Sequence, residues 1–129
     1  MILIDTCAIV WDALDPEKLT AKAKKAIKDH HNELIISDIS FWEISMMIKK
    51  GRIEIDSSSS EFTKLLIQAR NYHVQEITPE IAELSVNFGT EINKDPADRL
   101  ISATSILHNA PIVTADINLR EVSILETIW

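Results

Sequence analysis

Met1-Ile2-Leu3-Ile4-Asp5-Thr6-Cys7-Ala8-Ile9-Val10-Trp11 is the stretch on which the reading of this 129-residue chain turns. Ile2, Leu3 and Ile4 are a short, unbroken, largely β-branched run, as expected of a strand covered on both faces. Strands of that kind lie inside parallel sheets. Open α/β sheets bind their ligands just beyond the carboxyl ends of the strands, where Asp5 falls. The next question is whether other carboxylates reach the same edge.

Outward from there, strand and helix patterns alternate. Thr6 to Leu14 reads as a short helix stopped before Pro16, and Thr20 caps a second helix running to about His31. Leu34 to Ile36 is a second buried strand, followed by a helix over Phe41 to Ile48. Ser40 and Glu43 have capping-box spacing there, and Gly51 closes the helix after Lys49 and Lys50. Four serines end the loop that begins at Ile53; Ser60 and Glu61 then open a helix with Phe62, Leu65, Leu66 and Ala69 on one face. His73 to Ile77 reads as a strand, Thr78-Pro79-Glu80 as a helix start, and Gly89 as its end. Asp95-Pro96 opens a helix apolar around much of its surface. Strands over Pro111 to Thr114 and Ser123 to Ile128 complete the chain, with no internal repeat.

The order of elements brings four acids to one edge. Asp5 and Asp116 follow strands, Glu43 rides the helix that follows the second strand, and Asp98 lies in the first turn of the helix before the Asp116 strand. Right-handed crossovers set all these points on one side of the sheet. Each acid also has a plain structural role: Asp5 and Asp116 sit where N-caps sit, and Glu43 fits the capping box. Four carboxylates together repel one another unless cations neutralise them, and hard oxygen donors select Mg²⁺ or Mn²⁺ over Zn²⁺. No Cys/His spacing of a zinc site is present, and His30 and His31 read as surface residues.

Composition narrows the setting. A hydrophobic fraction of 46% and a charged fraction of 26% are ordinary for one globular domain spanning 1–129. A net charge of −7 argues against holding nucleic acid by bulk electrostatics, although local basic patches can still meet it. Two glycines leave no room for a Gly-rich phosphate loop. The single Cys7 allows no internal disulfide, no apolar run reaches the length of a membrane span, and no signal-peptide pattern opens the chain. A cytoplasmic setting without a membrane anchor is expected. The lysines at 18, 22, 24, 25 and 28 read first as a solvated helix face. Trp11, Trp42, Met46 and Met47 read first as core, with interface contacts as the other reading.

Leu3-Ile4-Asp5-Thr6, Ser40-Phe41-Trp42-Glu43-Ile44, Asp95-Pro96-Ala97-Asp98-Arg99-Leu100-Ile101-Ser102-Ala103-Thr104 and Ile112-Val113-Thr114-Ala115-Asp116, in that order, resemble a PIN domain. The likeness is to the VapC-type toxins of toxin–antitoxin pairs in particular, and Glu126-Thr127-Ile128-Trp129 resembles the tail of one VapC branch. The resemblance implies a three-layer α/β/α sandwich around a mostly parallel sheet. It implies a metal-dependent endoribonuclease with Asp5, Glu43, Asp98 and Asp116 as the catalytic acids. Asp5, Asp98 and Asp116 would bind one or two Mg²⁺ or Mn²⁺ ions, supported by Thr6, Thr114, Asp95 and Arg99. Lys22, Lys25, Lys49, Lys50 and Arg52 are the candidate RNA-backbone contacts. A homodimer and a VapB-like antitoxin that covers the acidic pocket with a basic side chain are further implications. One departure is Asn93-Lys94, where many relatives place a His before the Asp-Pro. The alternative is a PIN fold kept as a binding module without catalysis. A haloacid-dehalogenase-like phosphotransferase would need a second Asp where Cys7 stands, and a response-regulator receiver would need paired acids and a late-strand Lys.

Overall fold

A computed structural model describes Met1–Trp129. Its strands are β1 (Ile2–Ile4), β2 (Leu34–Ser37), β3 (His73–Gln75), β4 (Ile112–Val113) and β5 (Thr127–Ile128). The helices are α1 (Thr6–Leu14), α2 (Ala21–Asp29), α3 (Ile39–Lys49), α4 (Ser59–Arg70), α5 (Pro79–Asn87), α6 (Pro96–His108) and α7 (Ile117–Arg120), with a 3-10 turn at Pro16–Lys18. The five strands form one sheet in the order β3-β2-β1-β4-β5, and every pairing is parallel.

β1 is central and its three residues are fully buried, as a strand between two helical layers must be. Alternation divides them: Ile2 and Ile4 join a core with Ile9, Ile27, Leu34, Ile36 and Leu66, whereas Leu3 joins Ile35, Ile101, Ile112 and Leu119. α1, α2 and α4 thus cover one face, and α6 and α7 the other, with α5 packed on α6. This is the expected three-layer sandwich. Arg70 of α4 clamps Asp12 of α1 with two 2.7 Å hydrogen bonds, fastening the first layer.

Strand order runs outward from β1 in both directions, so the topological switch point lies between β1 and β4. Ile4 pairs with Val113, and one step further on Asp5 stands beside Thr114.

Several local expectations are corrected. α2 ends at Asp29, and α4 begins at Ser59, capped by Ser58 rather than opening at Ser60. β3 stops at Gln75, because Ile77 N–H turns to the Asp38 carboxylate. β5 spans only Thr127–Ile128, and the four-residue α7 fills the connection from β4. The capping box is absent: α3 starts after Asp38 without a side-chain cap, and Ser40 and Glu43 both turn to Thr6. Trp42 is exposed rather than core, whereas Trp11 packs on the core with its ring tilted against Trp129 at 5.9 Å. Gly51 does end α3: at φ 72°, it lets Gly51 and Arg52 donate back to Ile48 and Met47 carbonyls.

Candidate active site

Asp5 stands at the carboxyl end of β1, at the switch point of the sheet. It leaves β1 and caps α1: Oδ1 accepts from the Thr6 amide at 2.9 Å, and Oδ2 accepts from the Thr114 hydroxyl at 2.7 Å. Only 8% of the residue is exposed. Burial raises its pKa above the ordinary carboxylate value, the two hydrogen bonds pull it back, and the charges of Asp116 and Asp95 push it up again. Thr114 is itself positioned, since its oxygen accepts from the Asp116 amide at 3.0 Å. One hydroxyl thereby joins the end of β4 to the end of β1.

A second relay fixes Glu43. The Thr6 hydroxyl donates to Glu43 Oε1 at 2.5 Å, and it lies 2.8 Å from the Ser40 hydroxyl. A hydroxyl has one proton, so Ser40 is the donor in the second bond and the order runs Ser40 to Thr6 to Glu43. Ser40 and Glu43 share a face of α3 because they are three residues apart. Burial raises the Glu43 pKa; Thr6 opposes this, while Asp5 and Asp95 add to it.

α6 supplies the third wall. Asp95 is its N-cap, accepting from the Ala97 and Asp98 amides. Asp98 lies in the first turn, and its Oδ2 accepts from Asn93 Nδ2 at 2.9 Å. Burial, joined by the charges of Asp95, Asp5 and Asp116, pushes Asp98 up to about 7 despite that hydrogen bond. Asp116 caps α7 through the Asn118 amide. The structure therefore brings Glu43, Asp95, Asp98 and Asp116 within range of the charge of Asp5. It does not draw any three of them onto a single point close enough to hold an ion. Each carboxylate is instead tied to its own partner, a backbone amide, a hydroxyl or, for Asp98, the Asn93 side-chain amide. Hard oxygen donors, burial and uncompensated negative charge nevertheless form the donor chemistry that suits Mg²⁺ or Mn²⁺.

The other sequence candidates divide. Arg99 pairs with no carboxylate: its guanidinium donates to the carbonyls of Ser85, Phe88, Ile92 and Asn93, strapping the 88–95 loop beneath Asp98. Lys50 and Arg52 line a cavity of about 300 Å³ with Thr6, Cys7, Glu43 and Asp95. Lys49 lies in the last turn of the same helix. Lys22 and Lys25 are on α2, outside that cavity, and Lys25 is paired with Asp29. Two contributors were not foreseen in these roles. In the sequence Ser40 has the spacing of a cap, and Asn93 stands out only as a departure from the family pattern. The i,i+3 spacing of Ser40 and Glu43 was the available signal for the first; nothing in the sequence marks Asn93 as a partner of Asp98. Cys7 stands exposed at the rim, but crowding around its sulfur and the neighbouring acids Asp5, Glu43 and Asp116 push its thiol up to about 11.

A parallel α/β sheet with carboxylates from four elements near its switch point defines a class of acid-lined α/β proteins. Within that class this chain belongs to the PIN domain family, which it matches over residues 2–125. It is 33% identical over 119 residues to Ribonuclease VapC22 of Mycobacterium tuberculosis (strain ATCC 25618 / H37Rv), covering 92% of this chain and 89% of that protein. The fold is shared with a toxin–antitoxin complex from Klebsiella pneumoniae, at TM-score 0.67 and 23% identity, covering 96% of this chain and 94% of the other. It is shared also with VapBC2 of Rickettsia felis bound to a promoter DNA fragment, at TM-score 0.69 and 18% identity, covering 98% and 97%. No helix of the chain is long and apolar enough to cross a membrane.

Proposed function

We propose that this protein is a Mg²⁺- or Mn²⁺-dependent endoribonuclease that serves as the toxin of a toxin–antitoxin pair. The observation that carries the reading is the buried Asp5 at the switch point, within range of the charges of Glu43, Asp95, Asp98 and Asp116, with Lys50 and Arg52 lining an adjoining cavity beside Glu43 and Asp95. The likeness to a protein named Ribonuclease VapC22 supports RNA as the substrate. Solved complexes of the same fold with antitoxins support a VapB-like partner. A homodimer and a cytoplasmic setting belong to the same reading.

Asp5, Asp98 and Asp116 would hold one or two ions. When bound, such an ion supplies a water of lowered pKa and positive charge against the scissile phosphate. The chain's own groups do the rest. Thr114 and the Thr6 amide hold both Asp5 oxygens in place, and each oxygen keeps a lone pair free. The Ser40–Thr6 relay holds Glu43 in one orientation, which supports Glu43, rather than Asp98, as the carboxylate that would orient the attacking water and accept its proton. Lys50 and Arg52 contact neighbouring phosphates.

The separation of the acids favours one second reading, a PIN fold that binds without cutting. Cleavage of a labelled RNA by the purified chain, together with calorimetric titration of Mn²⁺, decides between them. Under the nuclease reading, chelator abolishes cleavage. Asp5→Asn lowers cleavage by at least ~100-fold and removes specific Mn²⁺ binding. An Asp5→Asn protein that cuts RNA as the wild type does would refute the assignment. Absence of both cutting and specific Mn²⁺ binding in the wild type would establish the binding module.

A further inference from the structure

Trp42 precedes Glu43 on α3, and 60% of it is exposed. The other two indoles are engaged, since Trp11 and Trp129 pack on the core and against each other. A tryptophan left open beside a catalytic carboxylate is costly to hydrate and well suited to stacking.

Its surroundings specify what it stacks on. Between α3 and α6 lies a cavity of about 510 Å³, walled by Ile39, Trp42, Glu43, Asp95, Pro96 and Ala97. Trp42, Glu43 and Asp95 also line the cavity that holds Lys50 and Arg52. The two cavities therefore adjoin along a ridge of one indole and two carboxylates. An occupant spanning them needs a flat apolar body for the first half and anionic groups for the cationic end of the second. A nucleotide strand has that alternation, with a planar base on one side and phosphates on the other. An apolar peptide helix does not, because Glu43 and Asp95 interrupt its groove.

We propose that Trp42 is the stacking platform for an unpaired RNA base next to the phosphate that is cut. This deepens the ribonuclease reading and rests on it. A base inside a duplex has no free face, so the site takes single-stranded or looped RNA and rejects paired RNA. The cavity beside Trp42 receives the base, Glu43 faces the reacting phosphate, and Lys50 and Arg52 hold phosphates further along the strand.

The test measures binding separately from cutting. An unstructured, fluorescently labelled RNA octamer is titrated with wild type, Trp42→Ala and Trp42→Phe. Ca²⁺ replaces Mg²⁺, and strand integrity is checked on a gel. One stacked base is worth about 1–3 kcal/mol, so Trp42→Ala weakens binding by ~5- to 150-fold. Trp42→Phe, which keeps a ring, restores most of the affinity. The octamer quenches wild-type indole emission, and that quenching is absent in Trp42→Phe. The same octamer annealed to its complement binds no better to wild type than to Trp42→Ala. Trp42→Ala with undiminished affinity overturns the stacking role while leaving the ribonuclease reading intact. Undiminished affinity with a change from dimer to monomer in sedimentation assigns the face to a second copy of the chain and also overturns it. A wild type that does not bind the octamer in Ca²⁺ and does not cut it in Mg²⁺ or Mn²⁺ removes both readings.

Discussion

Replacing Thr6 with valine tests the arrangement that orients Glu43. The substitution keeps shape and β-branching and deletes one oxygen. In the wild type that buried oxygen accepts from Ser40 and donates to Glu43, so the variant breaks two bonds at once. A hydrogen bond to a charged group contributes about 1.5–3 kcal/mol, and the half-buried Glu43 belongs near the lower figure because water can partly replace the donor. Ser40 is 0% exposed, so its hydroxyl is left without the partner it had, at a further cost of about 1–3 kcal/mol. Together these place the destabilisation of Thr6→Val at about 2.5–4.5 kcal/mol, large against a typical total of about 5–15 kcal/mol but survivable. Urea unfolding at neutral pH with chelator present measures it directly. Ser40→Ala removes the stranded hydroxyl, so the double variant should be more stable than the sum of the singles by about 1–2 kcal/mol. A cost for Thr6→Val below about 0.5 kcal/mol, or a strictly additive cycle, would show that the relay is not formed in solution.

Two further outcomes follow from the acids and their supports. Asp98 titrates at about 7 in the folded chain against 3.8 ordinarily, so between those values the folded state binds the proton more tightly. The stability of the metal-free protein therefore falls as pH rises from about 4 to about 7 and levels off above that. Asp98→Asn removes this contribution, and melting curves in chelator across that range should show a shallower slope; an unchanged slope refutes it. Arg99→Ala strands four carbonyls and removes the contact with the Phe88 ring. It should cost about 2–4 kcal/mol and speed hydrogen exchange across residues 88–95, whereas unchanged exchange would deny the strap.

The sequence alone determined the frame of this protein. Ile2-Leu3-Ile4, Leu34-Ile35-Ile36 and Ile112-Val113 are apolar without interruption because both their faces are covered, and that composition is visible before any folding is known. Thr20, Thr78 and Asp95 cap the helices they precede, since a cap acts within three residues of itself. Elements whose causes are longer in range are not legible in the local sequence. The pattern over Ser123 to Ile128 predicts one strand, yet only Thr127–Ile128 pairs with β4, and no local signal marks α7 before it.

Only the tertiary structure decided how the site works. That Asp5 meets Thr114, 109 positions away, depends on β1 pairing with β4, and no local pattern encodes the pairing. Ser40 and Glu43 looked like a cap because their spacing satisfies one. Thr6, set beside the start of α3 by the pairing of β1 with β2, is the partner that captures both instead. Arg99 and Asn93 likewise acquire their roles from the loop folded around them. Residue type and spacing settle which layers form and where the acids are delivered. Hydrogen bonds between residues far apart in the chain settle which acid is held, and by what.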